Sequence, residues 1–293
     1  MYPIGNTWSD ACYLHLSKAL HLSSEAASQS GASRRGSSSV CTLIAYYQMF
    51  ANYPIVVAAN RDEQYTRKAR GPHVIRQQPR IYAGKDEHGG GTWLGVNEFG
   101  LVVGILNRHS PQPQDPVRRS RGLLCLDVLC QKDARAAREI LVAEARAHPY
   151  NSFYIFWADA EHAYIAYNEG DITVRALPPG RYLLTNSSVI DLSRLMLAGL
   201  SELLAYPHPE SLDALLGSLQ AVCRSHQEVD RVVDAPNEHR GNRAICVHAS
   251  EHYGTVSSSF LAIGREWSTS RYLHAEGAPC CTPYRDVSGL LME

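Results

Sequence analysis

The chain has 293 residues, of which 45% are apolar and 19% charged, and its formal net charge is −1. These values are ordinary for a globular domain, and the length suffices for one substantial core without requiring two domains. No basic stripe suggests a nucleic-acid partner, no acidic tail is present, and no apolar run approaches the roughly 20 residues that cross a bilayer.

Residues 1–39 differ in character from the rest of the chain. The stretch 21–39 is rich in Ser, Ala and Gly and contains Arg34-Arg35. The apolar segment between Ala11 and Leu22 is interrupted by His15, Lys18 and His21, which makes a poor secretory core. Three readings stand for 1–39: a disordered extension, a propeptide or organelle presequence, and a mis-assigned start. Asp10 and Glu25 count against a presequence. The third reading fits best. A GTG codon gives methionine when it initiates and valine when it is read through, so Val40 is a candidate initiator. The protein would then begin Met-Cys-Thr-Leu, and methionine removal would make Cys41 residue one. The main domain is expected over 40–276, with a C-terminal tail over 277–293.

From Val40 the pattern is strand-rich. Buried strands are predicted at 42–47 and 55–59. Cys41 heads the first and Asn60-Arg61-Asp62-Glu63 comes after the second, so a thiol and a charged cluster can meet at one sheet edge. Gly89-Gly90-Gly91 opens a hairpin with strands at 92–96 and 101–106 about a turn at 97–100. It lacks the Gly-Lys-Ser/Thr of a phosphate loop, and its glycines instead let backbone pass close to a ligand or another strand. A loop at 111–116 precedes helices at 122–130 and 134–147. Strands come next at 153–157, 163–167, 172–176 and 182–184, then helices at 192–204 and 212–222. Strands at 244–248, 257–263 and 270–274 complete the pattern. Blocks of strand and helix without regular βα alternation argue for an α+β sandwich of sheets layered with helices, over a doubly wound parallel sheet.

The 8 cysteines are scattered and include no CxxC pair. That is neither a zinc ribbon nor a disulfide framework, and it suggests a reducing, cytoplasmic compartment. Cys41 stands apart. A thiol titrates near 8.5 and an α-amine near 7.7–8.0, so an N-terminal cysteine carries its own tethered base. An internal cysteine lacks that base and is more simply a small core residue. Asn60-Arg61-Asp62-Glu63 is either a solvated turn or part of a site. In a site, Asp62 would fix an α-ammonium or orient the thiol, and Arg61 would bind a carboxylate or lower the thiol pKa. Asn107 ends a strand, where its amide can donate to an oxyanion, a contribution of about 2.7–4 kcal/mol, or cap a turn. Asn186 offers a second amide at a strand end, or a helix cap. His248 and His252 lie four apart, a metal-binding spacing only on a helix, and their segment reads as strand into turn. No metal and no cofactor are expected.

Cys41-Thr42-Leu43-Ile44 together with Asn60-Arg61-Asp62-Glu63 resembles the NRDE family, also called the transport and Golgi organisation 2 family. The resemblance continues through Gly91-Thr92-Trp93-Leu94-Gly95, Ser120-Arg121-Gly122, Leu184-Thr185-Asn186 and Tyr253-Gly254-Thr255. It implies the N-terminal-nucleophile hydrolase fold, a four-layer αββα sandwich, and a more distant likeness to bile-salt hydrolases and penicillin V acylases. By that likeness Cys41 matches the nucleophile, Asp62 the aspartate near it, Asn107 the oxyanion asparagine and Asn186 a second asparagine. Asn60, Arg61 and Trp93 would line the substrate. Ala59 stands where the amidases carry an arginine, and Val256 where closer relatives often carry one. The expected function is hydrolysis of a small non-peptide amide through an acyl-thioester on Cys41. The alternative is a non-catalytic family member in Golgi organisation or in haem or acyl-lipid trafficking. Oligomeric state is not legible.

Overall fold

A strand that reads as a continuous apolar run buries both of its faces, and β1 (Thr42–Tyr47), apolar from Leu43 onward, is buried throughout. The computed structural model describes residues 41–186, 189–191, 211–226 and 244–293. Leu43, Ala45 and Tyr47 on β1 face one core, whereas Ile44 and Tyr46 face another. That split places β1 in the middle of a layered molecule.

Two antiparallel sheets build it. In the first, β1 lies between β2 (Ile55–Gln64) and β10 (Gly180–Thr185). β11 (Val189–Asp191) extends it beyond β10. On the other side lie β13 (Tyr253–Ile263), β14 (Arg271–Ala275) and β15 (Arg285–Asp286), with β12 (His248–Ser250) also paired to β13. The second sheet is a seven-stranded meander. Its members are β3 (Ala69–Gln77), β4 (Arg80–Asp86), β5 (Leu94–Asn97), β6 (Val102–Asn107), β7 (Phe153–Ala158), β8 (Ala163–Glu169) and β9 (Asp171–Leu177).

The sheets pack face to face through Leu43, Val57, Leu94, Leu106, Phe156 and Leu261. Outside the second sheet, α1 (Arg121–Leu129) and α2 (Ala134–Ala147) cover Ile81, Val103 and Trp157. Outside the first, α3 (Leu212–Arg224) lays Leu215, Leu219 and Val222 on Ile44, Val56 and Phe260. The order of layers is αββα. Asp133 caps α2 by accepting from the Ala136 N–H, and Ser211 caps α3 by accepting from the Ala214 N–H. Each such cap contributes about 1 kcal/mol.

The strand expected at 42–47 and the helix at 134–147 occur at those bounds. The strand expected at 55–59 runs on to Gln64, because β13 pairs with it from Ile263↔Ile55 to Tyr253↔Gln64. Asn60 to Glu63 therefore belong to a strand and not to a turn. β13 correspondingly begins at Tyr253, earlier than expected. β3 and β4 have no counterpart in the sequence reading; β3 is a polar, half-exposed edge strand that carries Pro72. The strand expected at 244–248 is irregular before His248. There the Cys246 N–H donates to the Ser225 carbonyl and the Val247 N–H to Thr255 Oγ1. The extension at 1–39 and the helix expected at 192–204 lie outside the described residues. Near the C-terminus Leu290 and Leu291 pack into the core between the sheets.

Cys41, Cys125, Cys130, Cys223, Cys246 and Cys280 are free thiols. Cys281 is disulfide-bonded. Among the described residues no helix is long and apolar enough to cross a membrane.

Candidate active site

The register of the first sheet aligns one end of four strands. Thr42 pairs with Asn60 on one side and Thr185 on the other, so Cys41 stands between Arg61 and Asn186 in the next row. Asp62 pairs with Thr255 on β13, just before a bulge. Asn186, Cys41, Arg61, Asp62 and Thr255 thus lie along one sheet edge.

Cys41 is half-buried, and its sulfur contacts the Asp62 backbone twice. It lies 3.4 Å from the Asp62 N–H, which donates to it, and 3.4 Å from the Asp62 carbonyl, which accepts from the thiol. Burial, and after it the charge of Asp62, pushes the thiol pKa up to about 12, with Arg61 a smaller opposing influence. In this form Cys41 is a neutral thiol at physiological pH and needs a base.

Asp62 is 2% exposed. Its Oδ1 accepts from Thr255 Oγ1 at 2.6 Å, and its backbone carbonyl accepts from the Tyr253 hydroxyl at 2.9 Å. Its Oδ2 is buried with no hydrogen-bond partner among the described residues. Burial raises its pKa well above the carboxylate range, against the pull of the Thr255 hydrogen bond. A carboxyl with an orphaned oxygen is an open acceptor, on a residue whose backbone holds the thiol.

Arg61 is already committed. Its guanidinium pairs with Asp86 at 3.3 Å and Glu63 at 3.7 Å and lies 4.7 Å from the centre of the Trp93 ring. Arg67 joins the same carboxylates at 2.8 and 3.5 Å. Burial works against ionisation of Asp86, but the Gly89 N–H, Arg67 and Arg61 together hold its pKa below the ordinary value. Trp93 fits because Gly84 is bare: a Cβ there would sit 2.5 Å from the indole. Arg61 and Trp93 therefore form a stacked wall more than a free cationic hook.

Asn107 ends β6 on the facing sheet. Gly104 lets β6 approach β1, since a Cβ there would lie 2.3 Å from Leu43. Beyond Asn107, the His109 N–H donates to the Asn186 carbonyl at 2.7 Å, which ties the ends of the two sheets together. Asn186 Oδ1 is buried without a hydrogen-bond partner among the described residues. Asn107 and Asn186 thus approach the Cys41 end from opposite sheets.

Asn60 does not join them. It is 2% exposed on the α3 side, and its Nδ2 donates to the carbonyls of Cys223 and Ile245, each at 2.9 Å. The alternation along β2 gives the reason: Ala59 faces the core between the sheets, so Asn60 faces the helix.

Arg121 is a residue of this site that the sequence reading did not single out. It opens α1, and its Nη1 donates to the Ser152 carbonyl at 3.0 Å. Burial lowers its pKa to about 10, while negative charge at Cys41 works the other way, so the two groups share one electrostatic environment. Its position depends on two glycines. A Cβ on Gly91 would lie 2.0 Å from the Gly122 carbonyl carbon, and the Thr92 N–H donates to the Gly122 oxygen at 3.1 Å. The glycine run thus admits the start of a helix. Ser120-Arg121-Gly122 in the sequence was the available signal.

A penicillin V acylase from Agrobacterium tumefaciens superposes with a TM-score of 0.51 at 15% identity, over 80% of this chain and 83% of that one. The likeness is one of fold, the four-layer sandwich of the N-terminal-nucleophile hydrolases. A bovine (Bos taurus) Transport and Golgi organization protein 2 homolog is 30% identical over 232 residues, 72% of this chain and 82% of the relative. A mouse (Mus musculus) Transport and Golgi organization 2 homolog is 33% identical over 143 residues, 46% of this chain and 51% of the relative. A human (Homo sapiens) homolog is 34% identical over the same number of residues, 143, again 51% of its length. The aligned stretch thus spans about half of the mouse and human proteins. Residues 40–273 match the family described as Transport and Golgi organisation 2, and the chain belongs to that family.

Proposed function

We propose that the protein is a cysteine amidohydrolase whose nucleophile is Cys41 as residue one of the mature chain, acting on a small non-peptide amide. The observation that carries this reading is the buried Asp62 carboxyl, whose Oδ2 has no hydrogen-bond partner among the described residues while its backbone contacts the Cys41 sulfur. An α-ammonium on Cys41 is the group that would complete it. That cation would favour the ionised form of Asp62 and stabilise a thiolate in place of the neutral thiol.

The chemistry then balances. The α-amine has taken the Cys41 proton and holds it as an ammonium, and the thiolate attacks the amide carbonyl. The side-chain amides of Asn107 and Asn186 donate to the oxyanion. Collapse breaks the C–N bond, the ammonium protonates the leaving amine, and an acyl-thioester remains. Water, deprotonated by the amine, attacks that thioester and releases a carboxylic acid and the Cys41 thiol. Trp93, stacked on Arg61, presents an apolar face for the acyl group, which favours an N-acyl amide substrate.

The test is turnover of a panel of N-acyl amides by protein that begins at Cys41, alongside its Cys41→Ala variant. The reading expects hydrolysis and an acyl adduct on Cys41 by intact mass, both abolished in the variant. Turnover unchanged by Cys41→Ala would contradict it. A Soret shift on haem addition, with no amide cleaved, would favour the carrier reading instead.

A further inference from the structure

Four metal-ligating side chains converge beside the Thr255 end of the sheet edge that carries Cys41. His226 lies just beyond the end of α3, Cys246 and His248 enter β12, and Cys280 comes from the segment after β14. One ligating atom from each, two imidazole nitrogens and two sulfurs, lies within 4.8 Å of all the others. A tetrahedral zinc ion with Zn–S of about 2.3 Å and Zn–N of about 2.0–2.1 Å separates its ligands by roughly 3.3–3.8 Å. His248 Nε2 is already 3.1 Å from Cys280 Sγ, so small side-chain movements reach that geometry.

The orientation of His226 is an independent sign. Its Nδ1 lies 3.0 Å from the Cys246 carbonyl, which can only accept, so Nδ1 carries the hydrogen. Nε2 is left as the ligating nitrogen. A backbone carbonyl that fixes the tautomer of a ligating histidine is the usual outer-shell support of a metal site. The Cys246 N–H donates in turn to the Ser225 carbonyl at 2.9 Å, which holds Cys246 beside His226.

We propose that His226, Cys246, His248 and Cys280 form a structural Cys2His2 site for a divalent ion of the zinc class. The donor set selects the metal: two sulfurs and two imidazoles suit zinc, not the hard cations that take oxygen ligands. Two thiolates cancel the charge of the ion, so the closed site is neutral. The ion joins the end of α3, the segment before β12 and the loop at Cys280. Between two of the ligands, the Val247 N–H donates to Thr255 Oγ1 at 2.8 Å, and that hydroxyl donates to Asp62 at 2.6 Å. The metal thus braces the strut behind Asp62. The site stands whether or not the hydrolase reading holds.

The experiment uses the full chain, purified with a phosphine reductant and without added metal, then analysed for bound metal. After chelation, Co2+ serves as the spectroscopic probe. The expected results are about one zinc per chain, and a Co2+ spectrum with the ligand-field and thiolate charge-transfer bands of a tetrahedral S2N2 site. His226→Ala and His248→Ala remove exposed side chains and should leave the far-UV spectrum unchanged while weakening Co2+ binding at least about tenfold. Cys280→Ser should remove half of the charge-transfer intensity. A wild-type chain without stoichiometric metal and without the tetrahedral Co2+ spectrum would overturn the proposal. So would undiminished Co2+ affinity in both histidine variants.

Discussion

The Cys41 sulfur rests 3.4 Å from both the backbone N–H and the backbone carbonyl of Asp62, two residues from different strands joined at one sheet edge. The contact fixes the thiol but does not activate it, since burial and the Asp62 charge hold its pKa near 12. An α-ammonium on Cys41 changes that balance. Each unit by which it lowers the thiol pKa yields about tenfold more thiolate at neutral pH. Iodoacetamide should therefore alkylate Cys41 at least about tenfold faster in protein that begins at Cys41 than in protein that retains Val40. Mass mapping after timed quenching at pH 7.5 measures the ratio, and equal rates would mean that the amine does not reach the sulfur.

Asp62→Asn separates the two forms by stability. With Val40 present, the burial that raises the Asp62 pKa disfavours its charged form, and the amide should cost under about 1 kcal/mol. With Cys41 at the terminus the substitution strands an ammonium in a buried site, at a cost of about 3 kcal/mol. Urea unfolding of both forms gives the difference.

The two sheets with helices outside them were legible, because β1 is apolar at consecutive positions and α2 has both a cap at Asp133 and a clear period. β3 was not, since an edge strand with Pro72 and half-exposed polar residues shows no alternation to read. Cys41 and Asp62 could be placed at one edge from sequence, but the face of Asn60 was missed although a period of two after Ala59 predicts it. The His226, Cys246, His248 and Cys280 cluster was beyond sequence reading. Its ligands come from three separate segments, and only Cys246 and His248 are close in the chain.

The contact between Gly91 and Gly122 predicts a contrast between neighbouring glycines. In Gly91→Ala the new methyl group would lie 2.0 Å from Gly122 backbone. It should cost about 3 kcal/mol and displace Arg121. Gly90 has φ +72°, and a Cβ there would meet only Leu123 Cδ2, at an ordinary 3.9 Å, so Gly90→Ala should cost only about 1 kcal/mol of backbone strain. Thermal unfolding of the two variants measures the contrast.

His274 should impose an acid limit on stability. It is 6% exposed, bonded to Ser259 Oγ at 2.9 Å, and its burial lowers its pKa to about 4. Between about pH 6.5 and pH 4 the unfolded chain binds a proton there that the folded chain does not, so stability falls as pH falls through that window. The loss from this group is up to about 3 kcal/mol and is complete near pH 4. His274→Gln should flatten the profile over that range in denaturant titrations.

Cys41 can act as an N-terminal nucleophile only where its α-amine is free. The most direct test of that role is N-terminal sequencing with intact mass, on protein made from the native gene with its own upstream region. The purified chain is expected to begin at Cys41. A chain that begins upstream of Cys41 and stays so in the purified protein would contradict that role, because the thiol would then have no α-amine to take its proton.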